Sequence, residues 1–320
     1  MMNLAIVGLG SWGQRLVASV QGVSDSVRFS TAVVTRPERV AAFADEKGLA
    51  VSDDLGAVLA DPSIDGIVSS GPPHLHAAHS LAALKAGKHV LAVKPMALTG
   101  ADARALRDAA QANGRVLALG FNRCFMPNVA AMRRELAAGA IGELLHAEGN
   151  FCVDRYYRFK SGWKADPASS PPGGLADHML YLTIETLGPI ADVRALSQFK
   201  VSDNALADTT AMLLRTQAGG SALLSAIGVT AEYFRFQIFG SKGWIELRDA
   251  TGFRLETIDG RSVHEALPDA DAERAEIDAF ANAATGRAPF PISPDDAVHG
   301  VSALEALARS AATGAVVAVA

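Results

Sequence analysis

A glycine-rich turn near the N-terminus has the spacing of a dinucleotide-binding loop. The segment Gly8-Leu9-Gly10-Ser11-Trp12-Gly13 follows an apolar run at 4–7 and precedes a helix pattern at 14–20. In such turns the first glycine permits a tight bend, the second lets the backbone approach a pyrophosphate, and the third lets the helix pack on the strand. The helix N-terminus adds free N–H donors and the positive end of its dipole. We therefore predict that all six residues contact a bound dinucleotide.

The residues after the second apolar run indicate which dinucleotide fits. NAD-binding chains carry an acidic residue there, about 20 residues after the glycines, for the ribose 2′-hydroxyl. This chain has Thr35 and Arg36 instead. Threonine cannot accept two hydrogen bonds side by side, whereas a guanidinium pairs well with a 2′-phosphate. We expect both residues to contact the adenosine ribose, and they favour NADP, with NAD as the alternative.

A lysine ends another apolar run, at a position where open α/β sheets bind ligands. Lys94-Pro95 comes directly after the run at 89–93, and the carboxyl ends of parallel strands form the binding edge. Oxidising an alcohol by hydride transfer leaves an alkoxide-like oxygen, which requires a proton acceptor or an electrophilic partner. Partial burial beside a nicotinamide cation would lower the pKa of a lysine from about 10.4. Lys94 is therefore predicted to handle the proton of a reacting hydroxyl.

The pattern of the first 120 residues predicts a doubly wound α/β domain. Apolar runs at 4–7, 29–34, 64–68, 89–93 and 116–119 alternate with helix patterns at 14–20, 38–47, 74–86 and 102–113. Strands separated by helices of this length form right-handed βαβ units around a parallel sheet. We therefore predict a Rossmann domain over residues 1–120.

After residue 120 the pattern changes to longer strand-like segments. They lie at 145–153, 193–199, 209–216, 220–229, 233–239 and 244–248, with helix patterns at 129–138, 271–285 and 295–312. Gly219-Gly220 and Gly240-Ser241-Lys242-Gly243 separate neighbouring segments as hairpin turns. Residues 121–320 are therefore predicted to form an α+β domain with a large, mostly antiparallel open sheet.

Composition excludes several classes of protein. The chain has 320 residues and a formal net charge of −5, so a basic nucleic-acid or membrane surface is not expected. Cys124 and Cys152 form no metal or disulfide pattern. His74, His76 and His79 lack a carboxylate or thiol at ligand spacing, so no zinc site is predicted. With no secretion signal or membrane-length apolar run, a cytoplasmic location is expected.

Motifs along almost the whole chain resemble those of one oxidoreductase family, and they occur in the family's order. They are Val7-Gly8-Leu9-Gly10-Ser11-Trp12-Gly13, Gly71-Pro72-Pro73-His74-Leu75-His76, Val90-Leu91-Ala92-Val93-Lys94-Pro95-Met96-Ala97-Leu98-Thr99, Gly120-Phe121-Asn122-Arg123, Gly139-Ala140-Ile141-Gly142, Trp163-Lys164-Ala165-Asp166-Pro167, Gly173-Gly174 and Ser310-Ala311-Ala312-Thr313-Gly314. The chain thus resembles the glucose–fructose oxidoreductase, inositol dehydrogenase and MocA family (Gfo/Idh/MocA). The resemblance implies NAD(P)-dependent chemistry on sugars, inositols or similar polyols. It also implies a homodimer or homotetramer that associates through the C-terminal sheet.

The resemblance also implies roles for individual residues. Lys94 would meet both the substrate hydroxyl and the cofactor, and Val93 stands where the family usually has glutamate. Pro72 and His76 would line the nicotinamide half of the cofactor pocket, and Ser70 and Pro95 are also predicted to contact the cofactor. The family uses the region of Asn122 and Arg123 near its substrate, with an interdomain ion pair as the alternative for Arg123. Trp163 is predicted to cover the substrate, because an indole face suits a sugar ring, with packing as the alternative.

The second catalytic group has two possible positions. The family commonly has Asp-x-x-x-His after its Gly-Gly, and counting forward from Gly174 places Asp177 and Tyr181 on that motif. Counting back from Leu187-Gly188-Pro189 places His178 on the histidine instead. On a helix, residues 177, 178 and 181 lie within one arc of about 100°. We prefer His178, whose usual pKa near 6.5 suits proton transfer near neutrality, with Asp177 and Tyr181 as orienting or alternative groups.

Three functions are compatible with these residues. The preferred one is an NAD(P)-dependent dehydrogenase or reductase acting on CH–OH groups of a sugar or polyol. A relative that recycles bound cofactor, for hydride transfer between sugars or for glycoside cleavage, is the second. A non-enzymatic nucleotide-binding regulator is the third, suggested by Val93 and by the short segment 174–188. A dehydrogenase assay over a polyol panel separates the first from the third.

Overall fold

The protein consists of two compact units. A computed structural model describes residues 1–169, 175–203 and 205–320. The first unit comprises Met1–Asn122 and Asp271–Val298, and the second comprises Arg123–Ala270 and His299–Ala320. The first carries a parallel sheet and the second a mostly antiparallel one, which confirms the predicted fold class.

The helices and strands of the described residues follow the predicted order, with several additions. The strands are β1 (Met2–Val7), β2 (Val27–Val33), β3 (Ala50–Ser52), β4 (Gly66–Ser69), β5 (His89–Val93), β6 (Leu117–Gly120), β7 (Leu144–Cys152), β8 (Ile190–Gln198), β9 (Thr209–Thr216), β10 (Ser221–Ile227), β11 (Tyr233–Gly240), β12 (Gly243–Arg248), β13 (Gly252–Thr257), β14 (Ser262–Ala266) and β15 (Val317–Ala318). The helices are α1 (Ser11–Val20), α2 (Ala41–Lys47), α3 (Leu55–Ala60), α4 (Pro73–Lys85), α5 (Gly100–Ala112), α6 (Pro127–Ala137), α7 (Asp177–Leu187), α8 (Ala272–Ala284) and α9 (Pro294–Thr313).

The sheet of the first unit has the strand order of a dinucleotide-binding domain. Its six strands follow the order β3-β2-β1-β4-β5-β6, and each neighbouring pair is parallel. The order reverses between β1 and β4, and ligands of open α/β sheets bind beside that point, at the carboxyl ends of the strands. Every residue of β1 is buried, as expected for a central strand covered on both faces.

The first unit also includes a helix from late in the chain. From the sequence we predicted that all residues after 120 form the second domain, whereas Asp271–Val298 belong to the first unit. Ile277, Phe280 and Ala281 of α8 belong to the same apolar cluster as β1 and β2. Burying a side chain such as Phe280 contributes about 1.5–3 kcal/mol, and this gain fixes α8 against the first sheet.

The sheet of the second unit has nine strands, in the order β14-β13-β12-β11-β7-β10-β9-β8-β15. Its central strand, β7, is parallel to β10 and antiparallel to β11. One face packs against α7: a Cβ on Gly149 would lie 2.7 Å from the Met179 sulfur. The other face exposes Leu196, Leu213 and Leu223, each to about half or more of its surface. Among the described residues, no helix is long and apolar enough to cross a membrane.

Candidate active site

Three glycines after β1 meet three different constraints. Gly8 has a φ of 96°, and a Cβ there would lie 2.6 Å from the Gly71 backbone. A Cβ on Gly13 would lie 2.3 Å from the Gly8 carbonyl oxygen, whereas one on Gly10 would meet nothing within 4 Å. Gly10 precedes α1, which has no capping side chain and no acidic residue in its first turn. The first N–H groups of α1 therefore have no capping side chain, and the turn fits a diphosphate.

The other side chains of this turn lie in different environments. Leu9 is buried in the core, and Ser11 is exposed. Trp12 is half-buried, and the Arg15 guanidinium carbon lies 5.5 Å from its ring centroid. Leu9 therefore holds the turn to the core, while Ser11 is accessible to a ligand.

The residues after β2 include a cation that has no acidic partner. Thr35 and Arg36 are both exposed, and the first acidic residue beyond β2 is Glu38, inside a short turn. No carboxylate among the described residues pairs with the Arg36 guanidinium. The strand end thus presents a positive charge where an NAD-binding chain presents a negative one.

A serine and a histidine hold three strand ends of the first sheet together. The Ser70 hydroxyl donates to the Gly8 carbonyl oxygen over 2.6 Å. The His76 ring nitrogens lie 2.8 Å from the carbonyl oxygens of Gly71 and Pro95. Burial lowers the pKa of His76 below its usual value, although these carbonyl contacts favour the charged form. Ser70 and His76 therefore connect the glycine turn, the segment after β4 and the Lys94-Pro95 segment.

Lys94 directly follows β5, at the same edge of the sheet as the glycine turn. It is half-buried, and its backbone N–H donates to the Gly120 carbonyl oxygen over 3.1 Å. The Lys94–Pro95 peptide is cis. Only β4 separates β5 from β1, so at a spacing of about 4.8 Å per strand these strands lie about 10 Å apart. That distance places the lysine within reach of a nucleotide that extends across the strand ends.

Asn122 belongs to a polar network at the end of β6. Its side-chain amide donates to Glu273 over 3.2 Å, and Arg15 forms a 2.8 Å ion pair with the same carboxylate. Glu276 is buried beside them, and burial together with the charge of Glu273 raises its pKa well above the usual range. Neither glutamate was identified from the sequence, because both lie about 150 residues after Asn122.

The three candidates on α7 have different environments. Asp177 is buried, and its charge adds to the effect of burial in raising the pKa of Tyr181 far above normal. The Tyr181 ring packs against α9, where a Cβ on Gly300 would lie 2.1 Å from it. The His178 ring meets the Phe151 ring edge-on, with centroids 4.9 Å apart. Tyr181 is thus buried, whereas His178 is only half-buried.

Arg123 packs against the aromatic residues beside His178. Its guanidinium carbon lies 3.8 Å from the Phe234 ring centroid and 4.8 Å from that of Phe151. The two rings are nearly perpendicular to each other, at 86°. We call Arg123, Phe151, His178 and Phe234 the arginine–aromatic cluster. Neither phenylalanine was identified from the sequence, because their proximity depends on the register between β7 and β11.

The described part of the loop after β7 contributes two exposed aromatic residues, Tyr157 and Trp163. Trp163 lies in a short 3-10 turn and is 37% exposed, with the Lys164 amine 5.6 Å from its ring centroid. Gly173 and Gly174, which the family motif includes, lie outside the described residues. Within the described part of the chain, no three His, Cys, Asp or Glu side chains form a metal-binding group.

Comparison with known proteins identifies relatives of both units. Residues 2–121 match the "Oxidoreductase family, NAD-binding Rossmann fold" model of GFO_IDH_MocA, and residues 129–246 match the GFO/IDH/MocA C-terminal domain. Levoglucosan dehydrogenase from Pseudarthrobacter phenanthrenivorans is 29% identical over 233 residues, which is 68% of this chain but only 58% of that protein. Inositol 2-dehydrogenase 1 from Saccharopolyspora erythraea is 29% identical over 297 residues, covering 88% of this chain and 86% of that protein.

A solved structure shares the fold over its full length. Levoglucosan dehydrogenase in complex with NADH and L-sorbose superposes with a TM-score of 0.89, covering 100% of this chain and 99% of that chain. The sequences are 21% identical, so this similarity concerns the fold alone.

Proposed function

The chain belongs to the Gfo/Idh/MocA oxidoreductase family, and we propose from this that it is an NAD(P)-dependent dehydrogenase or reductase. Its substrate would be a sugar, an inositol or a related polyol, in which a hydroxyl-bearing carbon is oxidised or a keto carbon is reduced. The observation that carries the proposal is the position of Lys94, a half-buried lysine at the same sheet edge as the glycine turn. The names of the two curated relatives support the substrate class.

In this mechanism the chain's residues bind, orient and move protons. The nicotinamide, when bound, supplies the ring that accepts or donates hydride. The turn from Gly8 to Gly13 holds the diphosphate through backbone N–H groups, and the His76 contact with Pro95 keeps the segment of Lys94 in place. The Lys94 amine takes the proton of the reacting hydroxyl during oxidation and returns it during reduction. His178 is the proposed second proton-transfer group, with Asp177 as its orienting neighbour.

We propose NADP as the preferred nucleotide, with NAD as the alternative. The exposed Arg36 guanidinium has no carboxylate partner among the described residues, and this supports a 2′-phosphate contact. Thr35 is the proposed neutral neighbour of the same ribose.

We also propose a homodimer or homotetramer formed through the open face of the nine-stranded sheet. Leu196, Leu213 and Leu223 expose 63%, 49% and 51% of their surfaces there, and apolar patches of this kind are typical of interfaces. Light scattering after size exclusion should give a multimer for the wild type and a smaller species for Leu213→Lys. A monomeric wild type would contradict the oligomer proposal.

The central test combines nucleotide titration, a substrate screen and a lysine variant. NADPH and NADH are titrated by fluorescence, and a panel of sugars and inositols is then assayed with the tighter-binding nucleotide. Lys94→Met should lower kcat by about 100-fold or more while changing the nucleotide Kd only a few-fold. Lys85→Met, at the exposed end of α4, is the matched control and should retain full turnover. Full turnover by Lys94→Met would contradict the mechanism.

A further inference from the structure

Arg123 is a shielded cation without a carboxylate partner among the described residues. Its Nη1 donates to the Met126 sulfur over 3.7 Å, and its Nε is shielded from solvent without a hydrogen-bond partner. Its Nη2 makes no hydrogen bond with the described residues either, but keeps contact with solvent. Other arginines of the second unit do pair with carboxylates: Arg133 with Glu185, Arg235 with Glu148, and Arg261 with Glu135.

The contacts of Arg123 do not replace the hydration that it loses. A guanidinium carries five N–H donors, and a thioether sulfur is a weak acceptor for one of them. Contacts with the aromatic rings of Phe151 and Phe234 cover the guanidinium faces rather than its N–H edge. Burial lowers the pKa of Arg123 to about 10, and the charge of Asp249 opposes only part of that shift. The N–H edge therefore has unused capacity for an anion.

Arg123 lies close to His178, the candidate proton-transfer group. Phe151 contacts both Arg123 and His178, with its ring centroid 4.8 Å from the guanidinium carbon and 4.9 Å from the imidazole centroid. The cation and the candidate proton-transfer group are therefore less than about 10 Å apart. A pyranose ring with one exocyclic carboxylate is small enough to meet both groups.

We propose that Arg123 is a carboxylate receptor, and that the substrate is a sugar acid or a related polyhydroxy acid rather than a neutral polyol. This inference rests on the proposed oxidoreductase function. A planar carboxylate can accept two hydrogen bonds from the N–H edge of a guanidinium, and the solvent-accessible Nη2 would provide the first of them. A phosphate dianion fits less well, because the cluster supplies a single cation.

The first test compares matched substrates with the intact enzyme. D-Glucuronate and D-galacturonate are compared with D-glucose, D-galactose and D-glucose 6-phosphate, each with the preferred nucleotide. The uronates should have kcat/KM values at least about 30-fold above those of the neutral sugars, the ratio expected for one shielded charge pair. Equal values for acid and neutral sugars, or a preference for the phosphate ester, would overturn the proposal and leave the oxidoreductase function intact.

Substitution of the arginine provides the second test. Arg123→Met retains a long apolar side chain against the two phenylalanines, and it should reduce the acid-to-neutral ratio to within about 3-fold of unity. Arg123→Lys keeps the charge without the planar fork, and it should retain part of the preference. The matched control is Arg248→Met, because Arg248 also lies on an aromatic ring, 4.6 Å from the Tyr233 centroid, but pairs with Glu246. The control should leave the acid-to-neutral ratio unchanged.

A binding measurement separates failure of this inference from failure of the proposed function. Thermal stabilisation by D-glucuronate and by D-glucose is measured in the presence of NADPH or NADH, for the wild type and for Arg123→Met. Greater stabilisation by the uronate in the wild type alone supports the receptor even if no substrate is turned over. Equal stabilisation by both sugars, or by neither, overturns it.

Discussion

Gly10 and Gly13 lie in the same turn, but alanine at the two positions should have opposite effects. A Cβ on Gly13 would lie 2.3 Å from the Gly8 carbonyl oxygen, so the backbone must move by about 1 Å to restore normal contact. Such overpacking costs about 1–3 kcal/mol, which corresponds to a Tm lower by about 3–10 °C in a unit of this size. A Cβ on Gly10 would meet no atom within 4 Å. Gly10→Ala should therefore leave the Tm of the free protein nearly unchanged.

Nucleotide binding should show the reverse order. The space that a Cβ on Gly10 would fill is the space through which the backbone approaches the diphosphate. We expect Gly10→Ala to weaken NADPH binding by about 10-fold or more, at an unchanged Tm of the free protein. Thermal denaturation without nucleotide and fluorescence titration of NADPH measure the two effects separately. Unweakened NADPH binding by Gly10→Ala, or a loss of Tm as large as that of Gly13→Ala, would refute this interpretation of the turn.

Three further predictions concern single residues. In fluorescence titrations, Arg36→Glu should weaken NADPH binding by about 10-fold to 100-fold and NADH binding much less. Tighter binding of NADH than of NADPH by the wild type would contradict the role of Arg36. In steady-state assays, His178→Asn should lower kcat by about 100-fold or more. Tyr181→Phe should keep a kcat within about 3-fold of the wild type, because the Tyr181 ring is buried against α9. The reverse order of the two effects would assign the catalytic position to Tyr181. The raised pKa of Glu276 means that the folded protein holds a proton that the unfolded chain releases, so this group lowers stability as the pH rises above about 4.3. In denaturant titrations, Glu276→Gln should therefore be more stable than the wild type at pH 7 and lose that advantage near pH 4. A stability advantage that does not change with pH would contradict this effect of the raised pKa.

Much of the fold follows from patterns that are local in sequence. The buried strands of the first sheet consist of consecutive apolar residues, and β5 begins and ends where its pattern predicted. The short or exposed strands were not predicted. β3 has only three residues and none of them is buried, while β14 is exposed at four of its five positions. Edge strands of this kind bury too little surface to leave an apolar pattern.

The position of α8 shows a second limit of sequence reasoning. Its amphipathic pattern correctly predicted a helix, and the structure has it at Ala272–Ala284. The pattern does not specify which sheet the apolar face covers. Ile277 and Phe280 fit the cluster around β1 and β2, and that choice depends on packing between residues more than 200 positions apart.

The residues proposed for nucleotide binding and those proposed for substrate preference differ in the same way. The glycine turn and Lys94 follow single strands, and their roles depend on residues adjacent in sequence, so motif spacing is sufficient to find them. The arginine–aromatic cluster instead depends on register: Phe234 of β11 lies directly opposite Phe151 of β7. A shift of one residue in that pairing would turn Phe234 to the other face of the sheet and remove the closest ring from Arg123. Nucleotide binding is thus determined by local turns, whereas the proposed substrate preference depends on one cross-strand pair, and substitutions there should change substrate preference without changing nucleotide affinity.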